Sequence, residues 1–466
     1  MPYVFYDTET TGVSTAFSQI LQFAAIKTDD LLNEVDRFQV RCRLLPHMVP
    51  SPGALLVTGI TPDVLLDEGL PSHYEAIQEI RQKLMEWSPA IFIGYNSIGF
   101  DEELLRQAFF QTLQPLYLTN TNGNSRSDVM RIAHSVHMYK PNTLAIPIDD
   151  RDRETFRLDK LAPINGFDHK DAHDAMADVE ATIHVAKLAK NMAPDVWTAM
   201  SDATNKNNVV KYAMREEHFS LSERYFGRMY SWVVTYCGRN PDYDSQLAVF
   251  DLEFDPVDYI SLSVEELIKV LGKSPKVIRV LTANKLPIMM PTGMAPDNVK
   301  LKSVSEKERG RRADVIRSDR KFQSRVGEAL SQRFVGQERS PHVELQIYDG
   351  FVSWEDQGVL EEFHEATLGK RLSLLETLSD PRLRELGHRL LFFDCPGQLS
   401  THQVSEMNDW LKARLLNEGS GVPWTTIPAA LSEVEDLLAG ENKGNEGFLG
   451  EVRKFLEARP KEMGLV

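Results

Sequence analysis

Three strand-forming runs, at residues 3–9, 20–27 and 38–44, precede any helical periodicity in the chain. Each is apolar or alternating and rich in strand formers. Helical spacing begins at 76–87, where Ile77, Ile80, Leu84 and Trp87 recur on one face. A short apolar strand at 91–95 follows, then helical stretches at 101–113, 128–139 and 175–188, the last with Asp174 in an N-cap position. Three early strands followed by alternating helices and strands predict an α/β fold, a mixed sheet covered by helices, over residues 1–195.

From about residue 196 the pattern changes. Runs at 230–236, 246–253 and 277–282 read as strands separated by turn clusters such as 238–242, which makes 196–345 a β-rich module. From 346 to 466 the signals are mostly helical, at 357–364, 369–378, 404–416 and 431–439, with a Gly/Asn-rich surface loop at 440–447. The 466 residues accommodate about three domains, long enough to bury cores without a disulfide or metal staple.

Charge and cysteine use narrow the class. Cys42, Cys237 and Cys395 are odd in number and far apart, so they form no zinc spacing or disulfide framework and fit a reducing cytoplasm. No apolar run approaches the ~18 residues of a membrane helix. The N-terminus has no basic region and reaches an acid at Asp7, so it does not read as a signal peptide. A net charge of −16, taken alone, argues against a generic nucleic-acid binder. The charge is uneven, however. Residues 1–200 hold 17 basic and 27 acidic residues, residues 201–350 hold 23 and 21, and 300–325 alone holds ten Lys/Arg against four Asp/Glu. That stretch is a solvated helical face, a phosphate-contacting strip or a dock for an acidic partner tail, and the sequence leaves the three open.

The candidates for chemistry are acids in the first 195 residues. Asp7-Thr8-Glu9 ends the first strand run, and residues i and i+2 of a strand face one side, so both carboxylates can reach one metal. Asp-x-Glu also occurs at 101–103, 152–154 and 251–253, so this pattern alone says little. Asp101 follows a Gly/Asn turn that contains Asn96, where an acid can simply complement a helix dipole. Asp178 lies one helical turn from Asp174, and His173 falls just before that helix, where a loop lets it swing. Taken together, four carboxylates and one mobile histidine suit a two-metal site. Oxygen donors without cysteine favour Mg²⁺ or Mn²⁺ over zinc. Two such ions about 3.5–4 Å apart can activate a water and stabilise the leaving oxygen of a phosphodiester.

The order Asp7-x-Glu9, Asn96…Asp101, His173-x₄-Asp178 resembles that of the DEDD superfamily of 3′→5′ exonucleases, histidine branch. Within it the chain is similar to the bacterial exodeoxyribonuclease I family. Val57-Thr58-Gly59-Ile60-Thr61-Pro62 looks like that family's substrate loop, and Gly94-Tyr95-Asn96, Phe100-Asp101-Glu102, Phe156-Arg157-Leu158 and Ala172–Val179 look like its motifs. Looser likenesses follow at 284–287 and 346–351. Ser97 and Glu102 depart from the commoner Asn and Asp.

The resemblance implies a ribonuclease H-like exonuclease domain, an SH3-like β domain and a helical C-terminal domain that encircle single-stranded DNA. It implies that Asp7, Glu9, Asp101 and Asp178 hold two Mg²⁺ ions, with Mn²⁺ able to substitute. His173 would be the general base, for which an ordinary pKa of about 6.5 suits it, and Glu9 would also orient the 3′-hydroxyl. The product would be a 5′-mononucleotide, and the strand would be held processively. Thr58, Gly59, Ile60 and Thr61 would place the terminal nucleotide, with Ile60 offering an apolar face to a base; the plain alternative is a turn before a helix near Pro62. Arg157 and Arg106 are the expected phosphate contacts, although Arg106 could equally salt-bridge on its own helix. Asn96 would fix the turn or touch substrate. The implied setting is DNA repair or recombination, as a monomer, with the single-stranded-DNA-binding protein as a partner and no membrane. Two rivals remain. A proofreading or RNA-trimming exonuclease would not need the further 270 or so residues. A non-catalytic DNA-binding scaffold would have no physical reason to keep clustered acids that repel one another.

Overall fold

The computed structural model describes every residue except 170–172, 301–303, 334–335, 337, 420, 441–444 and 466. The first region is built on strands β1 (Tyr3–Thr10), β2 (Ile20–Thr28), β3 (Glu34–Arg41), β4 (Ile91–Gly94) and β5 (Ser125–Asp128). They lie in the order β3-β2-β1-β4-β5. β1 and β2 pair antiparallel, as do β2 and β3, whereas β4 and β5 run parallel to β1, so the sheet is mixed as expected. The third strand starts at Glu34 and ends at Arg41, earlier than the apolar run suggests. It is an edge strand whose residues alternate between exposed and half-buried, so its sequence is polar. β5, Ser-Arg-Ser-Asp, escapes a hydrophobicity reading altogether, although Arg126, Ser127 and Asp128 are buried.

Apolar side chains leave both faces of this sheet. Tyr3, Phe5, Ile26 and Ile93 meet the helices Val129–Tyr139, Ala175–Met192 and Pro194–Asp202. Val4, Phe23, Ala25 and Phe92 meet the helices His73–Trp87 and Asp101–Gln111 on the other side. The result is three layers, the arrangement a sheet with two apolar faces requires. Val196, Trp197 and Met200 belong to this first core, so a boundary at 195 would cut a helix that packs with the first sheet; the packing changes partner between Ala203 and Val209.

The second region is a five-stranded antiparallel sheet of β6 (Phe219–Tyr225), β7 (Arg228–Arg239), β8 (Gln246–Asp251), β9 (Ile278–Thr282) and β10 (Ile288–Pro291), in the order β10-β6-β7-β8-β9. The expectation of a β-rich module holds at this level. The turn expected at 238–242 begins later, because β7 continues through Gly238. A β-carbon there would meet Val326 at 2.8 Å, so this glycine serves the close approach of the helix Arg320–Gln332.

The basic stretch 300–325 docks elements of the fold. Lys302 and the side chain of Lys300 lie outside the described residues. Arg309 is buried and pairs with Glu253 at 3.2 Å while donating to the Val299 carbonyl. Arg312 binds Glu308 and the Leu252 carbonyl, Arg317 the Met214 and Glu216 carbonyls, and Arg325 the Leu262 and Ile260 carbonyls. Arg311 pairs with Glu308 and Asp255. No single reading left open for this stretch describes all of it: most of these guanidiniums satisfy acids and carbonyls of the second region, while Lys307, Arg311, Arg320 and Lys321 are exposed on it.

The third region is helical as expected, with two helices beyond those anticipated, Pro381–Asp394 and Glu446–Glu462. The latter takes up the end of the loop expected at 440–447, of which 441–444 lie outside the described residues. The third region packs on the first through Leu21, Leu44 and Leu55 against Leu415, Val434 and Leu456, and through Phe110 and Leu113 against Ile347 and Phe363. Among the described residues no helix is long and apolar enough to cross a membrane.

Candidate active site

β1 ends in the middle of the first sheet, between β2 and β4, and carries Asp7 and Glu9 on the same side. The helix Ala175–Met192 brings Asp178 to them. Its start is set by Asp174, whose carboxylate accepts from the Met176 and Ala177 amides. One oxygen each of Asp7, Glu9 and Asp178 lies within 4.8 Å of the others. Asp101 sits in the first turn of the helix after β4 and is buried beside this cluster. Its Oδ1 accepts from Thr8 Oγ1 at 2.6 Å, so the structure turns that oxygen toward β1.

Electrostatics set these groups apart. Burial, followed by repulsion from Asp101, Asp178 and Glu9, raises Asp7 well above the usual carboxylate range. Burial and then the charges of Asp178 and Asp101 push Glu9 up to about 8. Burial lifts Asp101 to about 7, against the Thr8 hydrogen bond that lowers it. Asp178 is raised by burial, with His169 and His173 opposing. Clustered acids held this high are short of positive charge. An all-oxygen donor set of this kind fits a hard divalent cation, which would relieve the repulsion that raises them.

His173 precedes the helix with φ of +72°, half-buried, in a turn. Together with Asp178 it lines an open cleft of about 310 Å³ that also takes in Tyr95, Asn96, Phe156, Arg157 and Arg224. Asn96 is exposed with φ of +62°, and its backbone amide donates to Asp128 Oδ1. Asp128 also accepts from the Ile98 and Arg131 amides, so it fixes the turn that delivers Asp101. Tyr95 Oη donates to the Phe156 carbonyl at 2.5 Å, closing one wall. Arg157 is exposed and paired with Asp159.

Two expected substrate contacts lie elsewhere. Arg106 is buried and bound to Glu102 at 3.0 Å, with Tyr348 and Asn120 as further partners and Tyr117 beneath it. The salt-bridge alternative is the one realised, because Glu102, buried with Tyr6, Thr119 and Arg126 around it, needs cations nearby. Ile60 is buried among Leu55, Leu65, Leu415 and Val434, so its side chain presents no face to a base. Thr58 Oγ1 donates to the Ala54 carbonyl, Gly59 caps the helix Pro52–Thr58 with φ of +68°, and Thr61 precedes a helix that begins at Pro62, which is the plain-turn geometry.

Three residues were not singled out from sequence. Arg224 reaches the cleft from β6, where it also lies over the Phe156 ring and donates to the Glu154 carbonyl. Asp128 lies in the polar strand β5. His169 has a side chain almost fully buried, with Nε2 2.6 Å from Asp178 Oδ1. Its one sequence signal was proximity to His173. On the opposite flank, Gln22 Nε2 and Arg41 both bind Asp174 Oδ2, which ties β2 and β3 to the start of the helix.

Comparison with known proteins agrees with this geometry. An Exonuclease family model matches residues 4–186, and an Exonuclease I C-terminal domain model matches 341–459. The chain is 28% identical to Exodeoxyribonuclease I of Haemophilus influenzae over 84% of this chain and 83% of that one. Its fold matches Exonuclease I of Methylocaldum szegediense with a TM-score of 0.84 at 26% identity, covering 98% and 99% of the two chains. It also matches Escherichia coli Exonuclease I, solved with a dA16 oligonucleotide, at a TM-score of 0.83 and 22% identity over 99% of each. An exonuclease module carrying the acid cluster and an Exonuclease I C-terminal domain on one polypeptide place this chain in the exodeoxyribonuclease I family.

Proposed function

We propose that this chain is a single-strand-specific 3′→5′ exodeoxyribonuclease that releases 5′-mononucleotides processively, with two Mg²⁺ ions. The observation that carries the reading is the cluster of Asp7, Glu9 and Asp178, with Asp101 beside it, whose member Asp178 lines a cleft together with His173. Family membership makes the activity class an exonuclease that hydrolyses phosphodiesters and depends on a divalent metal. Magnesium is the proposal for that metal, since a small hard ion suits carboxylates that crowd one another.

The four carboxylates would hold the ions, which when bound would polarise the scissile phosphate and acidify a water. His173 takes the proton from the attacking water, and its loop position lets it approach and withdraw. Glu9 orients the terminal 3′-hydroxyl. Arg157 and Arg224 neutralise backbone phosphates at the mouth of the cleft, and Asn96 contacts the terminal nucleotide. The Thr58–Gly59–Thr61 turn contributes backbone rather than an apolar side chain. A solved SSB/Exonuclease I complex, matched at a TM-score of 0.83 and 22% identity, supports a single-stranded-DNA-binding protein as partner. A monomer working in the cytoplasm on DNA repair intermediates completes the proposal.

The test is an end-labelled panel of single-stranded DNA, duplex DNA and RNA, each with Mg²⁺ or EDTA. The expected result is mononucleotide release from the 3′ end of single-stranded DNA with Mg²⁺ alone. Release in EDTA, or equal release from duplex or RNA, overturns the reading.

A further inference from the structure

The hairpin of β6 and β7 turns at Phe226-Gly227, between the paired residues Tyr225 and Arg228. Both turn residues have positive φ, +50° and +77°. Asparagine, aspartate and glycine are the usual occupants of such a turn, because a bulky side chain crowds the left-handed backbone. This chain places a phenylalanine there with 96% of its surface exposed. The ring gains no burial in the fold and the backbone is strained to hold it, which points to a use outside the fold.

The surroundings say what kind of use. Tyr225 and Tyr230 are also exposed, on the same face of the hairpin. Tyr225 lies 6.4 Å from Tyr230 and 6.2 Å from Trp232, ring centre to ring centre, and Tyr230 is stacked on Trp232. The Arg279 guanidinium covers Trp232 at 3.4 Å, closing the inner end of this row and leaving its outer end, at the tip, open. Arg224, two residues before Phe226, lines the cleft with His173 and Asp178. Arg228 follows the turn. The register puts Arg224 on the face of the hairpin opposite the aromatic row, so the same strand delivers an arginine to the cleft and, two residues on, an exposed ring at its tip. Ring and arginine together match the two surfaces of a single strand, its base faces and its phosphates.

We propose that Phe226, with Tyr225 beside it, stacks on an unpaired nucleobase of the strand held in the cleft. This deepens the nuclease reading and rests on it. A base in a duplex already has neighbours on both faces, so such a contact favours single strands and tolerates any base. Phe226 is then a specificity-determining residue contributed by the second region to the first region's site.

The test measures binding in EDTA, where no cleavage occurs, by fluorescence anisotropy. The strands are single-stranded oligonucleotides with one abasic residue walked inward from the 3′ end. The wild-type protein is expected to lose affinity by roughly ten-fold at one abasic position. F226A should lose about as much on the unmodified strand and no longer sense that position, and F226W should restore both. F226N suits the turn backbone while removing the ring, so agreement between F226A and F226N assigns the loss to the ring rather than to a disturbed turn. Wild-type affinity in F226N, or an unchanged abasic profile in either ring-deleted variant, overturns the proposal. Because cleavage is absent, failure of the wild-type protein to release mononucleotides in Mg²⁺ would overturn the catalytic reading and leave this result intact.

Discussion

The end of β1 and the helices Glu306–Ser318 and Arg320–Gln332 are both conspicuous charge concentrations in the sequence, yet the fold treats them in opposite ways. At the end of β1, the groups that most perturb Asp7 after burial are all other carboxylates. On the two helices, the buried and half-buried guanidiniums each face an acid or a carbonyl. Matched charges complete a fold, because each desolvated group finds its partner inside the same chain. Like charges gathered in one buried place raise the free energy of the folded state unless something from outside joins them. The sign pattern after folding, rather than the density of charge along the chain, separates a site from scaffold.

The contrast predicts effects of different kinds. The largest is Asp7→Asn, which should slow mononucleotide release by on the order of a thousand-fold or more, since metal-dependent stabilisation is worth several kcal/mol. Its thermal midpoint without metal should not fall, because the amide keeps the shape of a carboxyl whose charged form burial and its acidic neighbours already disfavour. A normally active Asp7→Asn enzyme would make the cluster as structural as the helices. Next is Arg309→Ala, which leaves Glu253 without its buried partner and should cost about 3 kcal/mol in a urea titration. Arg311→Ala, exposed on the same helix, should melt like the wild type. Neither change should alter the salt dependence of DNA binding. A slope reduced by about one phosphate contact in either variant would restore the helices to the DNA path.

The smallest effect is a pH dependence. Glu9, pushed up to about 8, and Asp101, to about 7, keep protons in the folded chain that the unfolded chain has released. The metal-free protein should therefore lose stability as pH rises from about 5 through 8, the reverse of an ordinary salt-bridged acid. Saturating Mg²⁺ should raise the melting midpoint more at pH 8.5 than at pH 6. Equal increments at the two values would show that the carboxylates are not what the ion relieves.

The clustered acids and His173 were legible because their chemistry is carried by residue type and spacing, and the strand and helix periods that place them are local. Arg106 was left undecided and Ile60 was misjudged because their surroundings come from far along the chain: Tyr348 lies 242 residues from Arg106, and Leu415 and Val434 bury Ile60. β5 was missed because its burial comes from neighbours, with Glu102 neutralising Arg126 in a strand that contains no apolar residue.

The sequence by itself determined the order of three regions, the mixed character of the first sheet and the identity of the acids, because hydrophobic period and carboxylate chemistry are properties of short stretches. Only the tertiary structure decided which charges face each other. It spent most of the arginines of 300–325 on the second region's own acids and carbonyls, brought Arg224 from β6 to the cleft that His173 and Asp178 line, and set Phe226 at the exposed tip of the same hairpin. Those outcomes depend on which distant surfaces exclude water together, and no local pattern encodes that.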